Sequence, residues 1–127
     1  MNVKKDIQII KYVLEKIEKS QESNEALELN FNQLDAYPAE KIKYHLVLLD
    51  DADLINLHIE YPGDNAEWYF VKSITWEGHD LLETLRNDKA VEMAERKAKE
   101  QGSKLDDLPI ELVKSLTIAS AKQMFGL

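Results

Sequence analysis

The chain contains no cysteine. That absence removes disulfides, zinc–thiolate centres and cysteine nucleophiles together, and it fits a reducing, cytoplasmic setting. Glycine and proline are scarce, at four and three among 127 residues. There is no GxGxxG or Walker-type phosphate loop, so a nucleotide site is not expected. No apolar run approaches the roughly 20 residues that cross a bilayer. Met1–Asp6 leads into no continuous apolar stretch or small-residue cleavage site, so neither a signal peptide nor a membrane partner is expected.

Chemistry-bearing residues are equally sparse. His45, His58 and His79 are the only imidazoles, and they show neither HExxH nor HxxxH spacing, so each is read as structural rather than as a metal ligand. His79 beside Asp80 is not a dyad, because adjacent residues on a helix face different ways. Asp50, Asp51 and Asp53 lack the glycine and closing glutamate of an EF-hand loop. Trp68 and Trp76 are read as core or hairpin-edge residues rather than as stacking platforms. With no catalytic constellation, the chain is expected to be a non-enzyme without cofactor or metal.

What is present is an ordinary globular composition, 44% hydrophobic and 31% charged, with a net charge of −8. The length suits one domain. The acid is unevenly placed. Residues 31–80 hold three lysines, no arginine and ten acids, a net of −7, whereas residues 1–30 carry −1 and residues 81–127 balance to zero.

Hydrophobic periodicity orders the elements. Ile7, Ile10, Leu14 and Ile17 predict a helix over about 4–19. Leu27, Leu29 and Phe31 alternate with polar residues as in a short strand. Residues 32–37 leave room for a short helix, but the pattern there is poor. A helix from about Pro38 to Asp51 carries the stripe Ile42, Leu46, Leu49, with His45 at its edge. Ile55 to Tyr61 and Glu67 to Ile74 form a hairpin around Pro62-Gly63-Asp64-Asn65, a strong turn sequence. Thr75 suits an N-cap for the helix through Leu81, Leu82 and Leu85. A thinly apolar helix follows from Asp88 to a stop near Gly102. In it only Val91, Met93, Ala94 and Ala98 are candidates for burial. The last helix runs from near Asp107 to about Phe125. Its wide apolar band, Ile110, Leu112, Val113, Leu116, Ile118, Ala119, Ala121 and Met124, calls for cover on two sides.

Helix, strand, helix, hairpin, helix is the order of a winged helix-turn-helix. The expected fold is therefore mainly helical α+β, with a small antiparallel sheet. Residues 1–87 would form the winged-helix core. Residues 88–127 would form a helical extension that packs on the core or builds a dimer interface. Tyr44-His45-Leu46-Val47-Leu48-Leu49-Asp50-Asp51-Ala52-Asp53-Leu54-Ile55 resembles the end of a winged-helix recognition helix and its exit into the wing. Asp53 stands where that pattern often has glycine, at a turn needing a left-handed backbone. Tyr44-His45 together with Thr75-Trp76-Glu77-Gly78-His79-Asp80, followed by a charged helix and an apolar one, resembles an uncharacterised domain-of-unknown-function family of bacteria and their phages. The resemblance covers most of the chain. It implies the fold and a bacterial or phage origin, and no activity.

Double-stranded DNA is the default partner of such a fold. The second long helix would enter the major groove and the hairpin tip would reach the backbone. Lys41, Lys43, Tyr44 and Lys72 are then the expected contacts. The acidic middle argues the other way, because DNA affinity rests on neutralising phosphates. It suits a basic protein partner instead. Two readings follow: a DNA-linked regulatory protein, with a homodimer through the last helix, or an acidic protein-interaction module that binds no DNA.

Overall fold

A computed structural model describes residues 4–21 and 25–127. Five helices and a small sheet follow one another as α1 (Ile7–Ser20), β1 (Leu27–Glu28), α2 (Ala39–Asp51), β2 (Ile55–Gly63), β3 (Ala66–Ile74), α3 (Trp76–Leu85), α4 (Asp88–Glu100), a 3₁₀ turn (Leu105–Asp107) and α5 (Ile110–Met124). The sheet is antiparallel in the order β1-β3-β2. The architecture is mainly helical α+β. Among the described residues no helix is long and apolar enough to cross a membrane.

The core grows from the α1 stripe. Ile10, Val13, Leu14 and Ile17 are buried, and they share one cluster with Ile42, Leu46 and Leu49 of α2 and Leu81, Leu82 and Leu85 of α3. Val71 and Tyr69 of β3 close it from the sheet. Arg86, just after α3, holds α1 by a 2.6 Å pair with Glu18 and also meets Glu83 at 3.0 Å. The C-terminal elements join this same core through Ala94, Ala98, Leu105 and Val113.

Four segments differ from their sequence patterns. The strand alternation through Phe31 yields only two strand residues, because the chain turns at Asn30. There the Asn30 side chain accepts the Asn32 N–H at 3.0 Å and the Asn30 carbonyl accepts that of Gln33. Residues 31–37 are turns rather than a helix, and Tyr12 braces them by an edge contact with Tyr37 and a bond from the Ala36 N–H to its hydroxyl. On α5 the buried residues are Val113, Thr117 and Ser120; of the expected apolar band only Val113 is among them, Ile110 and Leu116 pack half-buried on the core, and Leu112 and Ala119 are exposed. The two hydroxyls donate to the carbonyls of Val113 and Leu116, each at 2.8 Å, and so enter the contact already satisfied. In α4 the buried stripe is Ala90, Ala94 and Ala98.

One joint ties the long hairpin to the helices. After α2 the chain reverses at Asp53, whose φ of 59° is the left-handed angle its position required. The Thr75 N–H donates to the Leu54 carbonyl at 3.1 Å, and the Thr75 hydroxyl donates to the Asp53 carbonyl at 2.7 Å. The same oxygen accepts the Gly78 N–H at 3.1 Å, making Thr75 the N-cap of α3. Gly78 lies so close that a Cβ there would sit 2.0 Å from the Leu54 carbonyl oxygen. Glycine is thus dictated by space at the centre of the TWEGHD segment. At its far end the hairpin turns through Asp64 and Asn65, both with positive φ, the geometry that matches the twist of two paired strands.

Candidate nucleic-acid interface

α2 buries Ile42, His45, Leu46 and Leu49. Helical spacing then turns Glu40, Tyr44, Val47 and Asp51 outward, and all four are exposed. This ridge is the surface that a groove-entering helix would present. It carries two carboxylates and no cation of its own, so any phosphate contact must come from its flanks.

The two flanks differ. Toward the sheet, Lys43 sits 3.5 Å from Glu67, with its ammonium 5.2 Å from the Phe31 ring and 5.5 Å from that of Tyr69. Its charge already braces α2 against the sheet. Asp50 accepts the Leu57 N–H at 3.0 Å on the same side. Lys72 is an exposed bulge residue, since Asn56 pairs with Ser73 and Leu57 with Val71, leaving no partner position between them. Its carbonyl accepts from Gln21 at 2.7 Å. Tyr44 stays on the ridge, with its ring edge-on to His45. The structure therefore does not gather Lys41, Lys43, Tyr44 and Lys72 into one patch.

Toward α1, Lys41 has different company. Lys4, Lys5, Lys41 and Lys104 line one open cleft of about 440 Å³ together with Asp6, Asp106 and Asp107. Two of these carboxylates have work in the backbone. Asp6 caps α1 by accepting the Gln8 N–H at 2.8 Å, and Asp106 accepts the Ile7 N–H at 3.1 Å. Lys5 donates to the Asp106 carbonyl, and burial holds its ammonium below the ordinary lysine range. Lys4, Lys41 and Lys104 are exposed. Their ammonium groups meet no carboxylate of the described residues within ion-pair distance. Chain positions 4, 41 and 104 gave no local basic run, so sequence reading missed the grouping. The only signal available was the loop after Gly102 returning to the start of α1.

Beneath this cleft His45 is fully buried. Its Nε2 accepts the Asp6 N–H at 2.8 Å, so that nitrogen carries no proton. Its Nδ1–H then donates to the Lys41 carbonyl at 2.7 Å. The ring is a neutral link between the N-cap of α1 and the first turn of α2. Burial depresses its pKa below the ordinary histidine value. His58 lies elsewhere, on the hairpin, 3.3 Å from Glu60, and His79 is exposed on α3. Among the described residues no group of three His, Asp or Glu side chains is placed to hold a metal ion.

Trp76, at the start of α3, departs from the core or hairpin-edge expectation, whereas Trp68 lies on the hairpin as that expectation allowed. Trp76 is 86% exposed and Trp68 47%. Trp68 pairs across the hairpin with Glu60, and Phe70 with His58, whose ring lies 6.3 Å away. These residues form an aromatic outer face on the sheet, bordered by Glu28 and by Asp64 at the tip.

The class defined by this fold is a mainly helical α+β domain with a three-stranded antiparallel sheet. The chain belongs to the family described as hypothetical protein (DUF2513), whose model matches residues 4–104. An uncharacterized protein of Haemophilus influenzae is 29% identical over 124 residues, which cover 98% of this chain and all of that relative. No solved structure matches.

Proposed function

We propose that this is a winged-helix protein of bacterial or phage origin that acts in the cytoplasm in DNA-linked regulation, holding DNA through the α1-side flank of α2. The observation that carries the reading is the convergence of Lys4, Lys41 and Lys104 from three distant segments beside the exposed start of α2. Phosphate contacts position a protein on a duplex, and base-edge contacts specify the sequence. The lysine flank supplies the first. Tyr44 and Val47 on the ridge supply a surface for apolar contact with thymine methyl groups. Lys43, occupied by Glu67, contributes less than its sequence position implied. Lys72 and the acidic hairpin tip are peripheral.

Fluorescence anisotropy of mixed duplex DNA across a salt series tests this, with the native chain set against the triple variant K4Q/K41Q/K104Q. The native protein should bind at low salt and weaken steeply as salt rises. Loss of three phosphate contacts should flatten the log–log salt slope by about 2.7. Absence of binding at low salt, or an unchanged slope in the variant, would overturn the assignment.

One observation favours a second reading, an acidic module for a basic protein. The hairpin's outer face presents Trp68, Phe70 and His58 with Glu28, Glu60 and Asp64 around them. An arginine-rich peptide would then shift Trp68 fluorescence, and E60K would abolish the shift while leaving DNA binding intact.

A further inference from the structure

α5 covers the core with one face and leaves the opposite face uncovered. Glu111, Leu112, Ser115, Ala119 and Lys122 are all exposed, and helical spacing places them on the side away from buried Val113, Thr117 and Ser120. Leu112 is 52% exposed, and Phe125, just past the helix, 74%. Glu111 stands near one end of this face and Lys122 near the other, eleven residues on, which is close to three full turns. They lie on one line along the helix. Between them lie Ser115, half-buried Ile118 and Ala119, one branched apolar side chain flanked by two small ones.

A face that is acidic at one end and basic at the other is complementary to itself reversed. We propose that it docks a second copy of this chain, with the two α5 helices antiparallel about a two-fold axis that passes between Ser115 and Ile118 of the outward face. Reversal sets Glu111 of each copy beside Lys122 of the other, and Ser115 of each beside Ile118 of the other. A parallel arrangement sets like charges together and is excluded on that ground. Lys122 has no carboxylate of its own chain within ion-pair distance among the described residues. Glu111 is 65% exposed in spite of its 3.4 Å contact with Lys114, so it remains open to a second cation. Lys114 also bridges to Glu77 at 2.7 Å, which fixes this end of α5 on α3 next to exposed Trp76. The isologous pairing fits the commonest symmetry of soluble oligomers. It is independent of DNA binding.

The size of the face sets the strength. Fifteen residues give a helix of about 22 Å, and one such helix pair buries less than a standard interface, so the dimer is weak and concentration-dependent. Sedimentation equilibrium of the full chain from micromolar to millimolar concentration should show a monomer–dimer equilibrium. E111K alone and K122E alone each replace two symmetric attractions by repulsions, and each should raise the dissociation constant at least about tenfold. The double swap E111K/K122E should restore it, and that recovery excludes misfolding as the cause of the single-variant losses. A variant that places a bulky cation on this face, A119R, should be monomeric with an unchanged circular dichroism spectrum. A native chain that stays monomeric at millimolar concentration overturns the proposal. So do single swaps without effect, or a double swap that fails to restore association.

Discussion

Replacing Gly78 by alanine probes the joint between hairpin and helices. The added Cβ would lie 2.0 Å from the Leu54 carbonyl oxygen, 2.7 Å from Cγ2 of Ile74 and 3.0 Å from the Leu54 carbonyl carbon. Two of these atoms are backbone, and Leu54 is fully buried, so the strain cannot relax into a side-chain rotation. The first turn of α3 must lift by more than an ångström. That movement stretches the bond from the Gly78 N–H to Thr75 and the two bonds that Thr75 donates to Asp53 and Leu54. Overpacking of this kind costs about 1–3 kcal/mol, and a weakened N-cap adds about 1 kcal/mol. Against these stands the roughly 1 kcal/mol by which alanine exceeds glycine in a helix interior. The net expectation is destabilisation of about 2 kcal/mol. Urea unfolding followed by circular dichroism reads it as a lower midpoint at unchanged slope. A midpoint equal to or above that of the native chain would refute the close approach.

Asp53→Gly should act in the opposite direction. It relieves a left-handed backbone while keeping the carbonyl that Thr75 uses, for a gain of about 0.5 kcal/mol after the added freedom of the unfolded chain. A lower thermal midpoint would show that the Asp53 side chain contributes more than its backbone costs. His45 should make stability fall with acid before the carboxylates do. Its folded pKa is depressed, so below about pH 6.5 the unfolded chain binds the proton more readily than the native one. Stability is therefore full above that pH and is lost as pH drops toward the folded value. Urea midpoints that stay flat from pH 7 to pH 5 would contradict this, as would a nitrogen NMR spectrum placing the His45 proton on Nε2.

The sequence made the helices and hairpin legible wherever one periodicity ran long enough to outweigh local exceptions. Ile7 to Ile17 and Ile55 to Ile74 are such stretches, and Thr75 and Asp53 were readable because capping and left-handed angles select few residue types. Failures arose where a local bond or a distant neighbour decided. Asn30 closes a turn on its own side chain and cuts β1 to two residues. Thr117 and Ser120 count as polar in any pattern, yet bury well because each hydroxyl bonds inside the helix. Lys43 looked free because Glu67, Phe31 and Tyr69 are distant in sequence. The lysine cleft was hidden for the same reason, since nothing local joins residues 4, 41 and 104.

The self-satisfied hydroxyls of Thr117 and Ser120 have a consequence for how the family can vary. At its centre α5 makes no hydrogen bond to another element among the described residues, so van der Waals contact holds it on the core there. Such a contact constrains volume and leaves chemistry open: Thr117→Val keeps the shape and strands no partner. The Thr75 joint is the reverse, since three bonds and a missing Cβ fix its residue types together. Over evolutionary time the last helix is therefore free to change its letters, while the joint between hairpin and α3 must keep them.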